Sequence, residues 1–197
     1  MEHIEVVSES TGEPTGMVLP RHEIISGGHW CQSTNIFVLN SEGQVLCHKR
    51  SMEKDRFPGM WFTHVGGHVT HGETYDQSAH KEVCEETGTP LRKDQLLFWR
   101  KSKHPMMRMW IHEFVTIVDK KAEEFNPQQG EVDEFRWFSP EEIFEQSRSN
   151  SKDWKAGTHN FMVEYYCLRA VIAAASSQGT FSLKKPLHVW TLHPVAL

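Results

Sequence analysis

The chain has 197 residues, of which 38% are hydrophobic and 24% charged, and its formal net charge is −5 at pH 7. This length fits one domain, or one domain with a short appendage, and it buries enough apolar surface to fold without disulfides. The mild negative charge gives no basis for nonspecific binding to a nucleic acid polymer or to an anionic membrane, so we expect neither partner.

Cysteine usage and the first residues favour a cytoplasmic protein. The four cysteines form no CxxC pair, which predicts reduced and mostly buried thiols, including that of Cys84, rather than a zinc site or a disulfide framework. The opening residues MEHIEVVSES lack the basic and apolar regions of a secretory signal. Since no apolar stretch is long enough to cross a bilayer, we expect a soluble protein.

The predicted elements begin with short β-like segments in residues 1–29, on both sides of a turn at 10–16. Strands are predicted at 30–40 and 44–49, followed by a polar segment and an extended stretch at 61–69. Further strands are predicted at 96–101, 107–118 and 135–138, and helices after Ser139-Pro140 and at 161–176. Strands and helices mixed in this way, without regular βαβ alternation, predict an α/β or α+β sandwich.

A central helix is predicted to begin after Thr74. Thr74 and Gln77 have the spacing of a capping box, and Asp76 lies in the first turn, where the helix dipole favours an anion. Gly88 suits the position just after the helix, and Pro90 prevents its continuation.

This helix carries a cluster of like charges. Glu82, Glu85 and Glu86 stand at positions i, i+3 and i+4, so their carboxylates lie on one face and repel one another. A hard divalent cation such as Mg²⁺, which takes oxygen ligands, would remove that repulsion. Ala79 and Val83 form an adjoining apolar stripe that can pack on a sheet. A solvated acidic helix face is the alternative interpretation of the same pattern.

The segment 67–89 resembles the Nudix box, G-x5-E-x7-R-E-U-x-E-E-x-G-U, in which U is a bulky aliphatic residue. Lys81 replaces the Arg and Thr89 replaces the last aliphatic residue, and the other positions match: Gly67, Glu73, Glu82, Val83, Glu85, Glu86 and Gly88. With its flanks, the likeness covers about residues 30–145. It implies an α/β fold, the Nudix α/β/α sandwich with a mixed sheet. The expected division is an N-terminal arm at 1–29, a Nudix hydrolase domain at 30–178 and a tail at 179–197.

The resemblance also implies a metal site. The Gly67 carbonyl would join the three carboxylates as a ligand of Mg²⁺, or of Mn²⁺ in its place, and Glu73 would pair with Lys81 to brace the loop. The bound ion would polarise a diphosphate and bring a water molecule near its attacking form. A general base must then accept the proton of that water. The candidate bases are Glu86, Glu131 and Glu134.

Part of the sequence is similar to isopentenyl diphosphate isomerases. Arg50 and Lys54 match the pair that binds the diphosphate in those enzymes, although a solvated basic loop would look the same. Three histidines resemble the metal ligands of that family: His22, His29 and His68. Gly66, however, stands where the isomerases carry their catalytic cysteine, and the acidic pair of the box is intact here. Both departures favour hydrolysis over isomerisation.

We therefore predict Mg²⁺-dependent hydrolysis of a diphosphate linkage in a small-molecule nucleotide. The substrate would be a nucleoside diphosphate linked to another moiety, such as a nucleotide sugar or ADP-ribose, or a nucleoside triphosphate. Four aromatic residues are candidates for stacking on a base, with core packing as the alternative: Trp61, Phe62, Trp110 and Trp137. An isomerase of prenyl diphosphates and a noncatalytic nucleotide-sensing module stay open as alternatives. The arm and the tail are apolar enough to mediate a homodimer or to cover the site.

Overall fold

A computed structural model describes residues 2–126, 129–158, 165–168 and 172 of the chain. Its strands are β1 (His3–Val7), β2 (Pro14–Pro20), β3 (Cys31–Leu39), β4 (Val45–Arg50), β5 (Trp61–Phe62), β6 (Leu97–His104), β7 (Met109–Ile117) and β8 (Val132–Phe138). Its longer helices are α1 (Arg21–Ser26), α2 (Tyr75–Thr87) and α3 (Pro140–Ser149). None of the described helices is long and apolar enough to cross a membrane.

Among the described residues, the main sheet has six strands, which run in mixed directions. β3 and β7 run parallel at its centre, from the pair Cys31–Met109 to the pair Leu39–Ile117. β6 pairs antiparallel with the other side of β7, and β4 pairs antiparallel with β5 and β8. A parallel pair at the centre of a sheet requires cover on both faces.

Both faces are covered, because successive side chains of β3 point to opposite faces and pack on different helices. Ile36 and Val38 point to one face, where they join Ala79 and Val83 of α2 in a buried cluster. Phe37 and its neighbours point to the opposite face, onto a core that includes α3 and the helical residues 165–168. The sheet is therefore held between two helical layers, which confirms the predicted α/β/α sandwich.

The N-terminal arm is a hairpin of β1 and β2 followed by α1. Its apolar residues Ile4 and Ile24 form a small buried cluster with Cys31 at the start of β3. Backbone contacts fix it further, since Val7 N donates to Trp30 O at 2.9 Å and Ile4 bridges Thr70. The arm therefore packs against the start of β3 and the segment that precedes α2.

The stretch 61–69, predicted to be extended, forms a strand at Trp61–Phe62 and isolated β-bridges at Val65 and His68. The expectation for the cysteines needs correction. Cys31 and Cys47 are buried, but the side chains of Cys84 and Cys167 are exposed. Cys84 lies on the side of α2 that faces away from the buried positions Ala79 and Val83. Most of the predicted helix at 161–176 and all of the tail at 179–197 lie outside the described residues.

The buried ring of His48 predicts loss of stability in acid. Burial, followed by the charges of Arg50 and Lys155, lowers the pKa of His48 to about 3. Because an unfolded histidine titrates near pH 6.5, the stability from the neutral ring is complete above that pH and is lost as the pH falls toward 3. We expect this residue to remove roughly 3 kcal/mol of unfolding free energy between pH 7 and pH 4.

Urea denaturation across this pH range tests the expectation. His48 stacks on Phe62, and among the described residues its Nδ1 has no hydrogen-bond partner, so His48→Phe keeps the packing and removes the titration. The decrease in unfolding free energy between pH 7 and pH 4 should be smaller in His48→Phe by the contribution of His48. It should stay unchanged in the exposed control His22→Gln. A wild-type pH profile in His48→Phe would contradict the account.

Candidate active site

The acidic helix α2 is fixed at both ends. The side chain of Thr74 accepts a hydrogen bond from Gln77 N at 3.2 Å, and the side chain of Gln77 accepts one from Thr74 N at 2.8 Å. Gly88 ends the helix in the left-handed conformation, with φ of 66°. Ala79 and Val83 are fully buried against the sheet. Glu86 lies beside them on the helix, seven residues after Ala79, where its carboxylate contacts the Gly66 backbone.

Two of the three glutamates are only partly open to solvent. Glu82 and Glu86 are half-buried, whereas Glu85 is exposed. Burial, and then the charge of Glu85, raises the pKa of Glu82 to about 7. Burial, and then the charge of Glu82, raises the pKa of Glu86 to about 8. These carboxylates are costly to keep charged, and a cation between them would offset that cost.

The glycines before α2 bring the backbone against these carboxylates. Gly66 N donates to Oε1 of Glu86 at 3.3 Å. A Cβ on Gly67 would overlap the carboxylate of Glu82, so the glycine leaves a cradle that any side chain would fill. The Gly67 carbonyl already accepts hydrogen bonds from Thr34 N at 2.9 Å and from Ser33 Oγ at 2.8 Å. It would have to give up the hydroxyl contact in order to bind a metal.

The predicted brace is confirmed. Nζ of Lys81 lies 3.3 Å from Oε1 of Glu73, which joins the loop before α2 to the helix itself. Lysine keeps the charge of the arginine expected in the box but makes one contact instead of a planar pair. The pairing places Glu73 and Lys81 in a supporting role beside the carboxylates.

Cations lie near the acidic face. Arg50, at the end of β4, donates from Nε to Arg56 O at 2.8 Å, and its charge acts to lower the pKa of Glu86. Lys54 forms an ion pair with Glu131, a partner that lies 77 residues further along the chain. Glu131 lies close enough to raise the pKa of Glu86, whereas Glu134 is an exposed residue of β8. The sequence did not indicate that Lys54 and Glu131 bind each other.

The three histidines that resemble metal ligands do not come together at one point among the described residues. His22 is exposed and lies 3.8 Å from the carboxylate of Glu23, whereas His29 and His68 line one cavity. Within the part of the chain that the structure describes, no three His, Cys, Asp or Glu side chains converge to chelate a metal. The acidic face is therefore not a finished metal cage. Its half-buried oxygen donors and the glycine cradle still suit a hard divalent cation, which takes much of its coordination from water and phosphate.

The four aromatic residues considered for base stacking make contacts within the protein itself. Trp61 packs edge-on against Phe138, and Phe62 stacks on His48. Trp110 and Trp137 donate their indole N–H groups to backbone carbonyls, Trp110 to Ser8 and Glu9 and Trp137 to Lys120. These contacts favour the core-packing interpretation for all four rings.

Comparison with known proteins places this geometry in context. Residues 30–159 match the NUDIX domain family. An uncharacterised Nudix hydrolase of Pseudomonas aeruginosa is 33% identical over 134 residues, covering 66% of this chain and 76% of that protein. Nudix hydrolase 3 of Arabidopsis thaliana is 36% identical over 94 residues, 47% of this chain, but the chain spans only 12% of that protein.

Two further likenesses concern the isomerase branch and the fold. An isopentenyl-diphosphate Delta-isomerase of Corynebacterium glutamicum is 24% identical over 161 residues, covering 71% of this chain and 78% of that protein. A crystal structure from Deinococcus radiodurans superposes with a TM-score of 0.70 at 21% identity, and covers 84% of this chain and 99% of the other. At that identity the superposition shows a shared fold.

The backbone at Gly66 generates a stability prediction. Its φ is 149°, and a Cβ there would overlap the carbonyl oxygen of Thr34 in β3. We expect Gly66→Ala to lower the free energy of unfolding by roughly 3 kcal/mol, from strain and overlap together. Gly16 also has positive φ, 83°, but has open space around it, so Gly16→Ala should cost only about 1 kcal/mol. Equal losses in urea denaturation would disprove the close contact at Gly66.

Proposed function

This chain belongs to the Nudix family, and we propose that it is a divalent-metal-dependent pyrophosphohydrolase. The proposed substrate is a nucleoside diphosphate linked to another moiety, of the nucleotide sugar or ADP-ribose type, with nucleoside triphosphates as the second choice. The observation that carries the proposal is the position of Glu82 and Glu86, which are half-buried on α2 with their carboxylates against the Gly66-Gly67 backbone. Oxygen donors grouped in this way suit a hard divalent cation.

Glu82, Glu85 and Glu86 are the proposed ligands of Mg²⁺, or of Mn²⁺ in its place, and the Gly67 carbonyl is an additional oxygen donor at their edge. The bound ion would neutralise the phosphates and make water a better nucleophile. The chain itself positions these groups, because the capping box and the Glu73–Lys81 pair hold the loop and the helix together.

Arg50 and Lys54 are the proposed contacts to the phosphate that is not attacked. Arg50 is the last residue of β4, and Lys54 lies on the segment that follows it. The charge of Arg50 opposes that of Glu86, and the charge of Glu131, the partner of Lys54, also acts on Glu86. Lys54 contacts Glu131 directly. A phosphate that takes over Lys54 would release the Glu131 carboxylate to accept the proton of the attacking water. Glu86 is the alternative base, and its place among the metal ligands makes it the less available of the two.

The backbone at Gly66 argues against an isomerase. A cysteine there would carry a Cβ that overlaps Thr34 O, so the strand spacing of this chain does not admit the side chain that isomerisation needs. The similarity to a bacterial isomerase therefore reflects the shared domain rather than a shared reaction at this position.

A substrate screen tests the proposal. The purified chain with Mg²⁺ is assayed against nucleotide sugars, ADP-ribose, nucleoside triphosphates and isopentenyl diphosphate. We expect turnover of at least one nucleotide, and we expect Glu86→Gln to lower kcat about a thousand-fold because it removes a metal ligand or the base. The matched control Glu145→Gln changes an exposed glutamate of α3 in the same way and should leave the rate unchanged.

The contrary outcomes are distinct. If no nucleotide is hydrolysed but nucleotides still bind, the chain is a nucleotide-sensing module and not a hydrolase. Conversion of isopentenyl diphosphate by the wild-type chain would restore the isomerase alternative. Equal rates in Glu86→Gln and Glu145→Gln would show that the acidic face takes no part in the reaction.

A further inference from the structure

A cavity of about 340 Å³ lies beside the loop that contains Gly67 and His68, and the N-terminal arm forms one of its walls. The end of α1 and Gly27-Gly28 face the turn between β6 and β7 across it, and His68 lines it one residue after Gly67. These arm residues lie outside the segment 30–159 that matches the NUDIX family. We call this space the arm cavity.

The charged side chains of the arm cavity have one sign. Arg56 and Arg108 line it, and its described lining includes neither aspartate nor glutamate. Guanidinium groups bind phosphate and carboxylate through parallel hydrogen bonds, so two of them around one space favour an anion. Nε2 of His68 is buried and has no hydrogen-bond partner among the described residues, which leaves a further polar atom for a ligand.

Arg108 is held in place by the arm. Its φ is 53°, unusual for a residue with a side chain, and its Nη1 donates to Gly28 O. A Cβ on Gly28 would overlap that same nitrogen, so the glycine makes room for the guanidinium. Its backbone is also tied to β3, since Cys31 N donates to Arg108 O at 3.1 Å. A strained backbone that fixes a cation at a cavity wall is typical of a binding position.

Arg56 links the arm cavity to the diphosphate contacts. Its carbonyl accepts the hydrogen bond from Nε of Arg50, and Lys54 precedes it by two residues. A substrate whose diphosphate lies against Arg50 and Lys54 therefore has its far moiety within reach of Arg56. The rest of the lining is mixed, since Ser26 and His29 are polar. Three methionines add apolar surface: Met106 and Met107 on the facing turn, and Met109 at the start of β7. Methionine adapts its shape to the carbon body of a ligand.

We propose that the arm cavity binds a second anionic group, carried on the moiety beyond the scissile diphosphate. The inference rests on the proposed function and narrows its substrates to diphosphates that bear an additional phosphate or carboxylate. It also assigns a role to residues 2–29, which complete a specificity site by seating Arg108.

The test uses two matched pairs of ligands that share a diphosphate linkage and differ by one phosphate: NADP⁺ with NAD⁺, and coenzyme A with 3′-dephospho-coenzyme A. Binding is measured by calorimetry on the wild-type chain without a divalent cation, because the proposed hydrolysis requires one. We expect the phosphate-bearing member of at least one pair to bind about ten-fold more tightly. Arg108→Asn and Arg56→Gln, added separately, should each reduce that preference to about three-fold or less, and leave binding of the other member unchanged.

The variants are chosen to preserve the fold. Asparagine tolerates the positive φ at position 108, and Arg56 lies on an exposed loop. Arg92→Gln removes an exposed arginine that is paired with Asp94, and should leave the preference intact. Equal or absent binding across both pairs, or a preference that survives Arg108→Asn, would overturn the proposal. A preference without hydrolysis by the wild-type chain would overturn only the hydrolase assignment, and hydrolysis without a preference would overturn only the arm cavity.

Discussion

The carboxylates of Glu82 and Glu86 are half-buried on one face of α2. Holding like charges there is unfavourable in free energy, and the structure around the helix offsets this. Burial and mutual repulsion raise both pKa values. A helix destabilised in this way needs support from elsewhere, and it has a capping box at its start and the buried Ala79–Val83 stripe underneath. The Gly66-Gly67 backbone then closes against the carboxylates without filling the space between them. Features that are unfavourable locally and supported by their surroundings are typical of functional sites.

Much of this could be predicted from the sequence, because the signals are local. The capping box of α2, its glycine end and the Glu73–Lys81 pair each depend on residues within about ten positions of one another. Strands β3, β4, β6 and β7 follow from alternation and turn residues. The α/β/α layers were expected from the resemblance of residues 67–89 to the Nudix box. The apolar stripe of α2 alone could pack on a sheet or on another helix.

The rest depends on contacts that spacing does not encode. α1 has six residues and no capping side chain at Pro20, so no start signal marked it. Lys54 and Glu131 meet only because β4 and β8 pair, which brings the ends of two distant segments together. The arm cavity depends on the Gly28–Arg108 contact, which joins the end of α1 to a turn 80 residues further along the chain. Long-range pairing and the cavities it encloses are set by the fold as a whole.

Metal binding by the acidic face is the central claim, and a crystal structure with Mn²⁺ tests it most directly. Mn²⁺ substitutes for Mg²⁺ at oxygen sites, and its anomalous scattering locates it without ambiguity. The account predicts an anomalous peak in contact with at least two of the carboxylates of Glu82, Glu85 and Glu86, and loss of that peak in Glu86→Gln. A peak between His29 and His68, or no peak at either place at millimolar Mn²⁺, would contradict it.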